Sequence, residues 1–268
     1  VRACQARVFS DLDLDCEETP PVVVVDGVVE HIADLTPDVV ELAIRTATPF
    51  EHLPGQYARF AFRGLPPRCF SPTVPLDGRA EPGRFRLHVR RVTNGRVSQS
   101  FGRSVLTGHP VRIEGPFGAA FFRPGDTRRL VLVAGGTGFA PVWSIADAAL
   151  RENPLRTIEI VAGARRLASL YMAPALTLAD QMPNVTAIAT ADDLDADYDA
   201  LRRGAPDQHV PALGPGDVVH ACGAPAMVSA IGARAVAAGA VFHADPFEEA
   251  AVQETGWLSR AVSWLKAG

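Results

Sequence analysis

Lysine is almost absent: Lys266 is the single one among 26 Lys and Arg residues in a chain of 268. An arginine at any phosphate-binding position must therefore be argued from its neighbours, because arginine is the default cation here. Cysteine is scarce too. Cys4, Cys16, Cys69 and Cys222 form neither a zinc spacing nor a disulfide framework. A reduced thiol set in the cytoplasm is the expectation. No uncharged apolar run reaches the ~18 residues of a membrane helix, and no signal-peptide pattern is read, so no membrane partner is expected. The net charge of −4 comes without a long basic run, so nothing points to nucleic acid. The seven His show no metal-ligand constellation. Val1 stands in place of an initiator Met, so a fragment or a processed form is expected.

What is present is enough for two domains of ordinary size, and 47% hydrophobic residues can fill a sizeable core. Val40, Leu42 and Ile44 alternate with polar neighbours, as do Phe85, Leu87 and Val89. This is the period of half-buried strands. Pro54-Gly55, Pro66-Pro67 and Asp77-Gly78 punctuate them. Residues 22–122 read as a small antiparallel barrel with one helix near 97–106. The second half differs. Leu130 to Ala134, Ile158 to Ala162 and Val218 to Ala221 are continuous apolar runs, as in strands buried on both faces. Helices are expected from Pro141 to about Arg151 and over 225–238, the latter ended by Gly239. Strands alternating with helices imply a doubly wound parallel α/β sheet. The resulting organisation is 1–21 as a leading segment, 22–124 as the barrel domain, 125–247 as the α/β domain and 248–268 as a tail. Asp192 to Tyr198 is an acidic surface segment to which no role is assigned.

Leu130 to Pro141 reads as strand, glycine turn and helix start. Glycines let backbone approach a phosphate, and a helix N-terminus offers free N–H groups. Gly135-Gly136-Thr137-Gly138 lacks the third glycine of the six-residue dinucleotide fingerprint, so the rule for locating a ribose carboxylate does not transfer. Gly163-Ala164-Arg165-Arg166 and Cys222-Gly223-Ala224-Pro225 end two further strands at the same sheet edge, where ligands bind. Cys222 is then placed at the mouth of the crevice, against the plainer reading of a small buried thiol. In the first half, Arg68-Cys69-Phe70-Ser71 sets a guanidinium, an aromatic ring and a hydroxyl within four residues, suited to a pyrophosphate, a flat ring and a ring nitrogen.

Across 22–247 the chain resembles the ferredoxin–NADP reductase superfamily. The segments that carry the resemblance occur in family order. They are Pro54 to Tyr57, Arg68 to Ser71, His88-Val89-Arg90-Arg91, Gly95-Arg96-Val97-Ser98, Gly115 to Gly118, Gly135 to Gly138, Gly163 to Arg165 and Cys222-Gly223. The resemblance implies an antiparallel β-barrel flavin domain followed by the α/β dinucleotide domain. It implies that Arg68 holds the FAD pyrophosphate, that Phe70 packs on the isoalloxazine and that Ser71 bonds its N5, the hydride-accepting atom. Phe70 replaces the family's usual tyrosine, so a hydroxyl contact to the ribityl chain is lost while stacking survives. His88, Val89 and Arg90 accompany an adenine-bearing flavin, and Gly95, Arg96, Val97 and Ser98 bind its phosphate through backbone N–H groups and the Ser98 hydroxyl. Gly136, Thr137, Gly138 and Pro141 serve the phosphates of NADH or NADPH. Arg165, Gly223 and Phe247 complete the cofactor sites, and Cys222 lines the nicotinamide pocket. Ser71 and Cys222 are expected to act on the chemical step. Arg165 and Arg166 could meet a 2′-phosphate, but Arg165 matches a position common to both kinds of reductase, and the expectation leans to NADH.

Val1 to Arg7, with Ser10-Asp11-Leu12, looks like the last stretch of a plant-type ferredoxin domain, with Cys4 at the place of the fourth cluster ligand. The Cys-x4-Cys-x2-Cys run that supplies the others is absent from this sequence, so no [2Fe–2S] cluster is expected in the chain as given. Val241 to Phe247 resembles the closing strand of reductases serving bacterial ring-hydroxylating oxygenases, phenol hydroxylase reductases among them. The implied activity is a flavin-dependent NAD(P)H reductase. Its implied partner is a ferredoxin, a Rieske-type protein or an oxygenase, and a monomer is the working expectation. A reductase for a haem protein or free flavin is the first alternative. A non-catalytic electron-relay subunit is the second, and the intact Arg68, Ser71 and Gly135–Gly138 turn argue against it. In the tail, Trp257, Leu258, Ala261, Val262 and Leu265 share one helical face, for packing on the protein's own surface or for docking a partner.

Overall fold

A computed structural model describes residues 17–76 and 83–247. The ferredoxin-like segment before Glu17, the Asp77-Gly78 turn and the apolar face of the tail lie outside the described residues. Two six-stranded sheets follow one another along the chain.

The first sheet is antiparallel, built from β1 (Val23–Thr36), β2 (Val39–Thr46), β3 (Tyr57–Phe62), β4 (Arg68–Phe70), β5 (Arg84–Arg90) and β6 (Pro110–Phe117) in the order β4-β3-β6-β1-β2-β5. The period-2 pattern sends Val40, Leu42, Ile44, Phe85, Leu87 and Val89 inward with Phe60, Phe62 and Ile113. The edges of the sheet curl together until Thr73, just after β4, bridges Arg86 of β5. This is the barrel read from the sequence. The helix expected near 97–106 does not form. The segment is a succession of turns with one bridge, Phe101 to Val105, and Ser100 O receives the N–H groups of Arg103, Ser104 and Val105 together. Gly102, at φ +79°, takes the left-handed region that interrupts a right-handed helix.

The second sheet is parallel: β7 (Arg129–Gly135), β8 (Ile158–Ala164), β9 (Val185–Ala191), β10 (Leu201–Arg203), β11 (Asp217–Gly223) and β12 (Val241–Pro246), in the order β10-β9-β8-β7-β11-β12. Strand β7 explains the double winding. Leu130, Leu132 and Ala134 join the core beneath α1 (Phe139–Glu152) and α2 (Ala173–Asp180), whereas Val131 and Val133 face α3 (Pro225–Ala237). Strands β9 and β10 and helix α2 escape a simple apolar-run reading, because β9 alternates Thr and Ala rather than running Val and Ile. The acidic segment caps turns at this edge: Asp193 accepts the Leu167 N–H at 2.7 Å and Asp197 that of Arg203 at 2.7 Å. No helix among the described residues is long and apolar enough to cross a membrane.

An ion cluster secures the start of the parallel sheet. Arg129 donates to both Asp217 oxygens, at 2.7 and 2.6 Å, and to Glu159 at 2.7 Å. Asp217 is buried, and Arg129 first of all holds its carboxyl below the usual range. A depressed carboxylate pKa contributes stability above its unfolded value, and that contribution is lost as pH falls through the folded one. Asp217→Asn should therefore destabilise by about 2–3 kcal/mol at pH 7. The difference from wild type should shrink below about pH 4. Urea denaturation at pH 7 and pH 3 tests this, and an equal penalty at both would remove the ion pair from the account.

Candidate active site

The two sheets are in direct contact. Ser144 of α1 donates to Pro72 O at 3.1 Å, and Ser169 donates to Asp38 of the β1–β2 turn at 3.1 Å. His88 of β5 stands edge-on to Tyr171, with ring centroids 4.9 Å apart. The carboxyl ends of β7 and β11 touch, Gly138 against Cys222, and the carboxyl end of β12 faces the residue that follows β4.

On the barrel side, β4 sets Arg68, Phe70 and Ser71 in sequence. Phe70 is half-buried against Phe60 and Phe101, with centroids at 5.9 and 6.5 Å. The Arg68 guanidinium has no carboxylate partner among the described residues and touches only Pro67 O, at 2.8 Å. In the segment after β5, the backbone N–H groups of Arg96, Val97 and Ser98 have no acceptor among the described residues. The Ser98 hydroxyl is engaged within its own turn, accepting from Val92 N at 3.0 Å and donating to Gly95 O at 3.4 Å, so the backbone rather than the hydroxyl is free there. Val89 is buried in the barrel core, and Arg90 is exposed. A free guanidinium and three free N–H groups fit a pyrophosphate. Among the described residues Thr73 Oγ1, His88 Nδ1 and Tyr171 OH are buried without a partner, an unusual state for buried polar atoms.

On the other side, Gly136 to Gly138 form a single 3₁₀ turn leading into α1, with Pro141 in its first turn. Gly136 has φ +56°, and a Cβ there would meet nothing within 4 Å. Gly138 is packed the opposite way, since its Cβ would stand 2.2 Å from Cys222 O. One glycine leaves open space at the head of α1, and the next lets the ends of β7 and β11 touch. Thr137 is half-buried and Arg165 is exposed, the latter without a partner among the described residues; Arg166 lies 3.9 Å from Asp38. Phe247 is held by its N–H to Gly223 O at 2.7 Å. Cys222 is fully buried rather than at the mouth of the crevice, and burial pushes its thiol well up, so it is neutral.

The residue missed by sequence reasoning is Asp245. From β12 it accepts the Ser71 hydroxyl at 3.3 Å, across 174 residues of chain. Burial raises its carboxyl to about 6, against the lowering effect of the Ser71 bond. The only local signal was its place in the closing strand, because an Asp beside Pro246 reads equally well as a strand end.

A barrel with an unpaired arginine and three unpaired N–H groups among the described residues, packed against a parallel sheet with a glycine turn, fits a two-domain flavin- and nicotinamide-dependent oxidoreductase. The sequence pattern of the oxidoreductase FAD-binding domain matches residues 26–122, and that of the oxidoreductase NAD-binding domain matches 132–232. The chain is 33% identical to the ferredoxin–NAD(P)+ reductase component of the naphthalene 1,2-dioxygenase/salicylate 5-hydroxylase systems of a Ralstonia species, over 92% of this chain and 77% of that one. It is 30% identical to the reductase component of phenol 2-monooxygenase from Pseudomonas sp. strain CF600, over 93% and 73%. A solved cytochrome P450 reductase from Amycolatopsis superposes with a TM-score of 0.78 at 28% identity, over 93% and 78% of the two chains. The chain belongs to the ferredoxin–NAD(P)+ reductase family, as an NAD(P)H-dependent flavoprotein that uses FAD.

Proposed function

We propose that this chain oxidises NADH and delivers the electrons one at a time to an iron–sulfur protein or directly to an oxygenase of aromatic-compound breakdown. The observation that carries the reading is the Ser71–Asp245 contact, where the end of the flavin-binding sheet and the end of the dinucleotide-binding sheet share one hydrogen bond. Bound FAD supplies the coupling of a two-electron donor to one-electron acceptors. The protein supplies orientation and proton control.

Arg68 clamps the flavin pyrophosphate, the N–H groups of Arg96, Val97 and Ser98 reinforce it, and Phe70 stacks on the ring. Gly136 and the first turn of α1 receive the dinucleotide phosphates. The neutral, buried Cys222 excludes water beside the reacting centre. Above about pH 6 the Asp245 carboxylate accepts the hydrogen bond that the Ser71 hydroxyl donates; below it, the protonated Asp245 leaves that hydroxyl free to donate elsewhere. Residues 22–124 form the flavin domain and 125–247 the dinucleotide domain, with the junction at 123–128. Residues 1–21, which resemble the end of a ferredoxin domain, lead into them. A cytoplasmic setting suits such chemistry.

Anaerobic NADH should bleach the visible flavin absorption of the purified protein. Ser71→Ala should keep the flavin and slow that bleaching by about tenfold in stopped flow, since misplacement at the reacting atoms is costly. Unaltered colour after NADH would overturn the function, and a wild-type rate in Ser71→Ala would remove that residue. A second reading, a haem protein as acceptor, draws on the likeness to the P450 reductase. Direct NADH-driven reduction of a P450 faster than of a ferredoxin would favour it.

A further inference from the structure

Among the described residues strand β12 is an edge strand, paired with β11 alone from Val241 to Pro246. Alternation puts Val241, His243 and Asp245 on one face and Phe242 with Ala244 on the other. Phe242 lies against Gly232 of α3, whose Cβ would come within 2.6 Å of its ring. The face that delivers Asp245 to Ser71 therefore also carries His243, roughly 7 Å back along the strand.

His243 is met by Arg123, from the connector between the two sheets. Arg123 Nη1 lies 3.2 Å from Nε2 and 3.4 Å from Nδ1 of the imidazole. Arginine carries no acceptor, so the histidine accepts. The guanidinium is fixed on every other side. Nη1 donates to Phe121 O at 3.0 Å, Nη2 donates to Ala119 O at 3.2 Å, and the group lies 4.2 Å from the Phe121 ring centroid. Glu17 closes the outer edge with both carboxylate oxygens, Oε2 at 2.8 Å from Nη2 and Oε1 against Nε. One side chain thus ties together the segment before β1, the connector and the strand bearing Asp245.

We propose that Arg123 is a positioning residue for hydride transfer: by holding His243 it seats β12 and places Asp245 against Ser71, with Glu17 as its outer brace. The inference rests on the reading of Ser71 and Asp245 as the reacting pair. The surroundings keep the contact one-directional. Burial, then Arg123, holds His243 down at about 4, with Arg128 acting the same way and Glu17 and Asp126 opposing. His220, fully buried with its ring centroid 4.7 Å from that of His243, is also held neutral by burial. His220 therefore adds no charge beside the imidazole, and among the described residues Arg123 is the only cation hydrogen-bonded to His243. The titratable groups facing Asp245 are Cys222 of β11 together with Cys69 and Tyr57 of the first sheet, all raised and neutral at pH 7. Its titration therefore follows its burial, which the seating of β12 controls.

The test is stopped-flow flavin reduction by NADH from pH 5 to 8, in flavin-loaded wild type, Arg123→Ala, Arg123→Lys, Glu17→Gln and Asp245→Asn. Asp245→Asn identifies the limb of the profile that belongs to Asp245, by abolishing it. Arg123→Ala should slow reduction by about tenfold and shift that limb by roughly half a unit or more. Arg123→Lys should recover part of both, and Glu17→Gln should fall between wild type and Arg123→Ala. A merely structural role would lower the melting temperature and leave the limb in place. If Arg123→Ala does not fold, His243→Phe, which removes the acceptor and keeps Arg123, carries the same test. A folded variant with its rate within about twofold and its limb unmoved overturns the proposal alone. A profile that Asp245→Asn leaves unchanged overturns the Ser71–Asp245 reading and this proposal with it.

Discussion

Gly138→Ala should cut NADH-driven flavin reduction by at least about a hundredfold while leaving the flavin bound. The new Cβ would stand 2.2 Å from Cys222 O, 2.5 Å from Cys222 C and 2.9 Å from Gly223 N. All three are backbone atoms, so no side chain can rotate away, and the ends of β7 and β11 must separate. Separation moves the phosphate turn and Cys222 apart, in the part of the molecule where dinucleotide and flavin are to meet. Overpacking of this kind also destabilises by about 1–3 kcal/mol. Gly136→Ala is the informative contrast. Its Cβ meets no protein atom, but φ is +56° and the methyl would take up the space proposed for the dinucleotide phosphates. It should raise the KM for NADH with a smaller stability cost, of order 1 kcal/mol. Steady-state and single-turnover kinetics separate the two, and a Gly138→Ala enzyme reduced at a rate near wild type would refute the close-approach argument.

Arg68→Ala should weaken flavin retention by about ten- to a hundredfold, from a charged bidentate contact worth ~1.5–3 kcal/mol. The geometry favours a large effect. The guanidinium is committed to no carboxylate among the described residues and gives one bond to the neighbouring Pro67 carbonyl. Its removal costs the protein one exposed bond to the Pro67 carbonyl, which water can replace, so the loss falls mainly on the ligand. The readout is the visible absorbance kept through extensive dialysis, with the released cofactor run against FAD and FMN standards. A variant that stays fully yellow would displace Arg68 from the phosphate site. Supplying excess FAD should restore much of its hydride-transfer rate, because Ser71 and Asp245 are untouched.

Much of this architecture was legible because its signals are local. Leu130 to Ala134 is apolar without interruption, and only a strand covered on both faces needs that; the two separate cores under α1 and α3 are the result. The alternation of Phe85, Leu87 and Val89 with Arg86 and His88 likewise dictates a strand with one buried side. The same logic overreached at 97–106. There the apolar spacing of Val97, Phe101 and Val105 suits a helix, and all three are buried, but they are buried by turns around Gly102. The helix expected there does not form, because several backbone paths bury the same three residues.

By itself the sequence determined two sheets of opposite kind, a glycine turn at the head of a helix, an arginine–aromatic–hydroxyl triplet on a strand and, through their order, the reductase family. Each depends on residues a few positions apart, where backbone sterics and side-chain period decide the outcome. Only the tertiary structure decided that Asp245 stands against Ser71, that Cys222 is fully buried, that the Ser98 hydroxyl is spent on its own turn and that Arg123 joins Glu17 to His243. These contacts span up to 174 residues of chain. They arise from packing one sheet's edge against the other's, and no local propensity encodes which two polar groups that packing leaves face to face.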